Sequence, residues 1–170
     1  GLKIVYADNT GINDAKAFQF KEKNQDCLVV YKTKELETWW NSLSGAWKSL
    51  FSGQFKIDSP PTKEQLHQIL FLDSLAIKDN SQINDLSPLT IIMGLKNMTM
   101  SSTQVSNLQP LASLMALEVF QCNQSPVSDL TPLSGLSKLQ KWVLHEDIDL
   151  TLFSFFWLIR ILTPFKSSKS

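Results

Sequence analysis

Residues 83–89 read INDLSPL, residues 105–111 read VSNLQPL and residues 127–133 read VSDLTPL. The offsets, 105 − 83 and 127 − 105, are both 22 residues. A fixed period of this length is typical of a solenoid, in which each repeat is one coil of the chain. The repeat therefore predicts a stacked architecture for this part of the protein.

Each repeat can be numbered from its first aliphatic residue, Ile83, Val105 or Val127, which we call column 0. Six further columns are apolar in all three repeats. They hold Leu86, Leu108 and Leu130 (column 3); Leu89, Leu111 and Leu133 (column 6); Ile92, Leu114 and Leu136 (column 9); Leu95, Leu117 and Leu139 (column 12); Met98, Phe120 and Trp142 (column 15); and Met100, Cys122 and Leu144 (column 17). A single coil cannot bury such a face, so the coils are expected to stack and form a continuous core.

Columns 15 and 17 predict the strands of the solenoid. Residues two apart lie on the same face of a strand. Residues 98–100, 120–122 and 142–144 are therefore expected to pair as parallel neighbours, with residues 75–77 as a fourth strand before them.

A proline lies opposite each predicted strand, in the pairs Ser87-Pro88, Gln109-Pro110 and Thr131-Pro132. Proline at the first position of a helical turn loses no needed donor, and Ser or Thr before it can cap that turn. Each coil is therefore expected to run strand, turn, short helical or 3-10 segment, turn.

The N-terminal residues predict a small sheet. Leu2 to Tyr6 is one strand-forming run, and residues 18–21 face residues 27–31 across a polar segment. The latter pair is expected to form a β-hairpin. Because an isolated hairpin is marginal in water, its apolar face must pack on a following element.

Two helices are predicted after this sheet. In residues 34–51, apolar residues that include three tryptophans recur at steps of three and four, which indicates one helix of about five turns ended by Ser52-Gly53. Thr62 and Gln65 form a capping-box pattern that opens a second helix. His67 lies off the apolar stripe of that helix and is expected to be exposed.

The repeat resembles the 22-residue leucine-rich repeat of bacterial internalin-like proteins, over roughly residues 72–144. That family's coils have leucines three apart, a Leu-x-Leu strand, an asparagine and an Ile-x-Asp-Leu-x-Pro-Leu tail. The resemblance implies a curved parallel solenoid with an N-terminal cap, on a secreted or cell-surface bacterial protein that binds other macromolecules. One departure concerns the asparagine, which column 20 replaces by Thr103, Ser125 and Asp147. These side chains can hydrogen-bond locally with different reach, so a less regular ladder is expected.

The expected fold class is α/β: a short leucine-rich-repeat solenoid of about four parallel strands with a helical or 3-10 convex side, behind an N-terminal α+β cap that contains a hairpin and two helices. The expected divisions are residues 1–52 (hairpin and Trp-rich helix), 53–72 (linker and capping helix), 73–149 (repeats) and 150–170 (apolar cap segment and polar tail).

The fourth coil departs from the pattern, because column 0 would fall on Asp149. The chain from Leu150 to Leu162 is nearly all apolar. We interpret it as a terminal cap over the last coil, with self-association as the second interpretation. Membrane insertion is the least favoured, because about 13 apolar residues fall short of the roughly 20 that span a bilayer.

Composition and motifs exclude several function classes. Sixteen basic and sixteen acidic side chains cancel, so no electrostatic footprint for nucleic acid is present. Two cysteines and two histidines make neither a disulfide scaffold nor a metal spacing, and no phosphate loop or Ser-His-acid set is seen. We therefore predict no enzyme, no cofactor and no metal, and we interpret Cys122 as a buried, unreactive thiol.

Columns 14, 16 and 18 point away from the core, onto the predicted concave face. The candidate partner-binding residues there are Asn97, Thr99, Ser101, Val119, Gln121, Asn123, Lys141, Val143 and His145. The prediction is a non-catalytic recognition module for a protein or glycan ligand. The alternative is a structural spacer or stalk that holds another domain away from a cell surface.

Overall fold

The computed structural model describes residues 1–145, so the segment from Leu150 to Leu162 and Asp147 lie outside the described residues. Its strands and helices are β1 (Ile4–Tyr6), α1 (Asp14–Lys23), β2 (Leu28–Val30), α2 (Thr33–Ser42), α3 (Gly45–Phe55), α4 (Lys63–Leu70), β3 (Ser74–Lys78), β4 (Asn97–Ser101), β5 (Val119–Asn123) and β6 (Lys141–His145). Three 3-10 segments, Ser87–Ile91, Gln109–Ser113 and Thr131–Leu133, join the last four strands. None of the helices within residues 1–145 has the length and hydropathy to cross a membrane.

The last four strands form one parallel sheet in the order β3-β4-β5-β6. Residues of the same column lie opposite each other, as Met98 lies opposite Phe120 and Met100 opposite Cys122. The apolar columns are buried in the described coils, apart from the half-buried Leu139. The predicted solenoid of about four parallel strands with 3-10 segments is confirmed.

The 3-10 segments are capped by the residue in column 2, not by the Ser or Thr before proline. Asp85, Asn107 and Asp129 each accept a hydrogen bond at Oδ1 from the N–H two residues further on, at 3.0, 2.8 and 2.8 Å respectively. A short Asx side chain reaches its own backbone two residues on, and so supplies the cap one position earlier than expected.

The predicted N-terminal hairpin is wrong, because Asp14–Lys23 is a helix and β1 pairs with β2 in parallel. Asn13 caps this helix by accepting the N–H of Lys16 at 3.0 Å, and Ala17 buries its face. A parallel pair needs a crossover connection, which α1 provides. The local alternation at Phe18-Gln19-Phe20 resembled a strand, but the cap and the buried alanine favour the helix.

The predicted single Trp-rich helix is also wrong, because the chain breaks at Leu43 and forms α2 and α3. Ser44 caps α3 by accepting the N–H of Trp47 at 3.4 Å. The helix continues through Gly53 to Phe55 and ends where Lys56 takes a left-handed conformation. The break turns the tryptophans toward the first coil.

Two tryptophans dock the helices on the solenoid. The indole Nε1 of Trp47 donates to the carbonyl of Asp85 at 3.1 Å, and that of Trp39 donates to the carbonyl of Pro88 at 3.3 Å. Buried residues of the N-terminal elements and of the coils belong to one continuous hydrophobic cluster.

The capping box of α4 is confirmed, with Thr62 and Gln65 bonded reciprocally. The predicted exposure of His67 is wrong, since the side chain is 0% exposed. Its Nδ1 lies 2.6 Å from the carbonyl of Lys63, and its Nε2 lies 2.9 Å from the N–H of Tyr31. The imidazole is buried because backbone groups satisfy both of its nitrogens.

Candidate partner-binding face

The predicted binding residues lie on one side of the sheet, opposite the 3-10 segments. They form three rows across β4, β5 and β6: Asn97, Val119 and Lys141; Thr99, Gln121 and Val143; Ser101, Asn123 and His145. Strand β3 extends these rows with Ser74, Ala76 and Lys78. We call this set of twelve positions the sheet face.

The orientation of the sheet face follows from the alternation of burial along each strand. On β4 and β5, the column 15 and 17 residues are fully buried, whereas the residues between them are exposed or half-buried. Successive side chains of a strand point to opposite faces. The coils thus bring the predicted residues together on a surface that water reaches.

The chemistry of the sheet face is polar and cationic. Its twelve positions hold amides, hydroxyls, small apolar residues, one histidine and two lysines, with no carboxylate. Lys78 and Lys141 are exposed on the two outer strands. Thr99 Oγ1 donates to Gln121 Oε1 at 3.4 Å, which links neighbouring strands. The face therefore presents hydrogen-bonding groups and positive charge.

A cavity of about 560 Å³ lies beside the first strands of this face. Phe18, Phe55 and Phe71 line it, and Asp73 and Lys96, which immediately precede β3 and β4, stand at its border. Sequence reasoning missed this cavity, because the three phenylalanines come from separate helices or helix ends and one of them was assigned to a hairpin.

The column 20 hydroxyls connect neighbouring coils just beyond the strands. Thr103 Oγ1 lies 2.9 Å from Ser125 Oγ, and it accepts the N–H of Val105 at 3.4 Å. Both hydroxyl residues are buried. Cys122, next to this ladder, is buried as predicted, and burial raises the pKa of its thiol to about 11.

A second cavity, of about 900 Å³, lies beyond the carboxyl ends of β1 and β2. Asp8 accepts hydrogen bonds from the N–H and the hydroxyl of Thr33 at 2.9 and 2.7 Å. Asp14 accepts from the Tyr31 hydroxyl at 2.7 Å and from Lys32 Nζ at 2.6 Å. Burial acts to raise the pKa of each carboxyl, but these hydrogen bonds outweigh it and lower the pKa. Both carboxylates hold loops and helix starts in place.

No family model matches this chain, and no curated protein matches it. Among solved structures, it is similar to an internalin (inlF) from Listeria monocytogenes, with 30% identity and a TM-score of 0.36, over 37% of this chain and 18% of that one. It is also similar to an internalin C2 (inlC2) from Listeria monocytogenes, with 27% identity and a TM-score of 0.34, over 38% of this chain and 31% of that one. The match thus spans less than a third of either internalin. The assignment of the repeats to a leucine-rich-repeat fold is supported by the geometry of the coils themselves.

Proposed function

We propose that the sheet face is a surface that binds another protein. The observation that supports this proposal is the row arrangement of polar side chains across four parallel strands in register. A regular sheet holds such groups at fixed separations, so little conformational entropy is lost when a partner binds them.

The charge of the face defines the chemistry of the partner. Lys78 and Lys141 are exposed, and no carboxylate on the face neutralises them. A partner that presents carboxylates and backbone carbonyls complements these lysines and the amides between them. The partner is therefore expected to be an acidic protein surface.

The cavity of about 560 Å³ supplies what the face itself lacks, an apolar anchor point. Interface energy is concentrated in a few well-packed side chains, often aromatic, that fill pockets. Phe18, Phe55 and Phe71 offer an aromatic lining next to the polar rows. A bulky apolar side chain of the partner is expected to enter there.

The experiment compares capture of partner proteins by three forms of the chain. The charge-reversed form carries Gln121→Glu and Lys141→Glu on the face, and the control carries Lys138→Glu, an exposed lysine outside the face. Quantitative mass spectrometry of crosslinked, captured proteins provides the readout. A protein retained by the wild type and the control and lost by the charge-reversed form is the expected result.

Three results would contradict the proposal. Equal capture by all three forms would place the site elsewhere. No capture by any form would favour the spacer function. Binding of the wild type to a glycan array, abolished by the face substitutions, would assign the face to carbohydrate.

A further inference from the structure

The first residues of the chain repeat the end of a leucine-rich coil. Residues 2–14 read LKIVYADNTGIND, and residues 117–129 of the solenoid read LEVFQCNQSPVSD. In this alignment Leu2 occupies column 12, Val5 column 15 and Ile12 column 0. All three are apolar, as those columns require.

The backbone conformation agrees with this alignment at column 19, directly after the strand. Ser102 and Gln124 occupy that column in the solenoid, with φ angles of 52° and 47°. Asn9 occupies it here, with a φ of 60°. A left-handed residue outside glycine is uncommon, so its recurrence at one column indicates the same turn.

Two hydrogen bonds of the solenoid recur as well. The column 0 N–H donates to the column 20 hydroxyl, from Ile12 to Thr10 Oγ1 at 3.3 Å as from Val105 to Thr103 Oγ1 at 3.4 Å. Between strands, Leu28 N donates to the carbonyl of Lys3 at 2.8 Å. The equivalent bond in the solenoid runs from Val119 N to the carbonyl of Lys96 at 2.9 Å. Strands β1 and β2 are thus neighbouring strands of coils of the same kind.

The helices cover the two facing edges of the two sheets. At the edge of β2, the imidazole Nε2 of His67 lies 2.9 Å from the N–H and 2.6 Å from the carbonyl of Tyr31. At the edge of β3, Gln54 Nε2 donates to the carbonyl of Ala76. Side chains of α3 and α4 therefore take the place of a neighbouring strand at both edges.

The outer edge of β1 has no such cover within residues 1–145. Ala7 N donates to the carbonyl of Val30 at 2.7 Å, so the alternate residues Ile4 and Tyr6 direct their backbone N–H and C=O away from β2. Their side chains are 37% and 57% exposed. This edge offers backbone donors, backbone acceptors and apolar side chains together.

The core columns at this edge are exposed too. Leu2 is 64% exposed, whereas Leu117, in the same column, is 0% exposed. Ile12 is 36% exposed, whereas Val127, in the same column, is 2% exposed. In the solenoid a neighbouring coil covers these columns, so the same side chains at β1 mark an uncovered stacking surface.

We propose that the outer edge of β1 is a docking surface for one further leucine-rich coil, whose strand lies parallel to β1. An isolated strand would satisfy the backbone groups of Ile4 and Tyr6 but would leave Leu2 and Ile12 exposed. A second copy paired through its own β1 about a two-fold axis would run antiparallel, and its columns would not match. A coil satisfies both requirements, and its column 15 and 17 residues are apolar.

The test supplies such a coil covalently. Residues 95–116 of this chain run from column 12 to column 11 of the next coil, so a copy fused ahead of Leu2 continues the register. The control fusion carries aspartate at the copied positions of Met98 and Met100. Hydrogen exchange of the Ile4 and Tyr6 amides is the readout, with urea unfolding beside it.

The fused coil is expected to slow exchange of these two amides by at least about tenfold and to raise the urea midpoint, because coil stacking adds an interface term. The aspartate fusion is expected to change neither. Equal exchange rates in both fusions would overturn the proposal. Sedimentation velocity of the unfused chain is the second arm: a dimer that Ile4→Lys dissociates would assign the edge to a second copy and overturn it also.

Discussion

The two sheets of this molecule follow the same coil geometry with different connections. In the four-stranded sheet, 3-10 segments of three to five residues join strands whose core columns are buried on both sides. In the two-stranded sheet, the ten-residue helix α1 makes the connection, yet the left-handed turn and the hydroxyl bond after the strand are the same. The residues that flank the strand therefore determine the coil more than the segment that returns the chain.

The sheets also differ in how their edges end. Backbone groups at a sheet edge are a site for pairing with another chain unless something covers them. The edges of β2 and β3 are covered by polar side chains of α4 and α3, whereas no side chain of residues 1–145 hydrogen-bonds the outer edge of β1. The helical elements thus separate two parts of one solenoid and satisfy the backbone of both.

The largest expected effect is the loss of a core side chain in the four-stranded sheet. Phe120 in column 15 is fully buried, and Phe120→Ala is expected to lower the free energy of unfolding by about 3–5 kcal/mol, because it removes buried area and leaves a cavity. Urea unfolding measures the change. Val119→Ala on the sheet face is the matched control, with an expected loss below about 1 kcal/mol.

The same variant shows whether the two sheets unfold together. Cys27 adjoins β2 and Cys122 lies in β5, and both are buried. Thiol labelling of variants that keep one cysteine each reports the opening of each region separately. Because the core is continuous, Phe120→Ala is expected to accelerate labelling at both. Faster labelling at Cys122 alone would show that the regions open independently.

The sequence predicted the columns well because three copies of one pattern had to agree. Phe120 could be placed in the core from its equivalence to Met98, without any knowledge of its neighbours. Elements that occur once had no such check, and the alternation at Phe18-Gln19-Phe20 was assigned to a strand. The burial of His67 depends on Tyr31, 36 residues earlier in the chain, and no local pattern contains that partner. The sheet face followed from alternation, whereas its neighbouring cavity depends on tertiary packing.

The second expected effect concerns the cover of the β2 edge. His67→Leu removes the acceptor for the Tyr31 N–H and leaves that buried group without a partner. A loss of about 1–3 kcal/mol in the free energy of unfolding is expected. Gln68→Leu, at the next, exposed position of α4, is the control and is expected to change little. An unchanged stability of His67→Leu would show that water or a rearranged backbone satisfies Tyr31.

A smaller, pH-dependent effect distinguishes the four-stranded sheet. The Cys122 thiol ionises at about 11 in the folded protein and at its ordinary pKa of 9.0 when unfolded. Between these values the unfolded state binds fewer protons, so stability falls as pH rises from 9 to 11. Urea midpoints measured across this range are expected to fall more steeply in the wild type than in Cys122→Ala. Parallel slopes would contradict a buried, protonated thiol.

The smallest expected effect tests the turn that the two sheets share. Asp79 takes a φ of 49° after β3, is exposed, and its side chain makes no hydrogen bond within residues 1–145. Relief of left-handed strain, roughly 1–2 kcal/mol, exceeds the entropy that glycine adds to the unfolded chain, roughly 0.5–1 kcal/mol. Asp79→Gly is therefore expected to raise the free energy of unfolding by about 0.5 kcal/mol, measured by urea unfolding.

Gln124→Gly makes the same backbone change at a φ of 47°, but it also removes the acceptor of the Ser102 hydroxyl at 3.0 Å. Its expected gain is smaller, because the lost hydrogen bond offsets part of the relieved strain. Asn9→Gly extends the test to the two-stranded sheet, where φ is 60°. If β1 ends in the same turn as β3, Asn9→Gly stabilises the protein as well. Stabilisation at Asp79 with destabilisation at Asn9 would mean that the two turns differ, and it would separate the N-terminal sheet from the coil geometry of the solenoid.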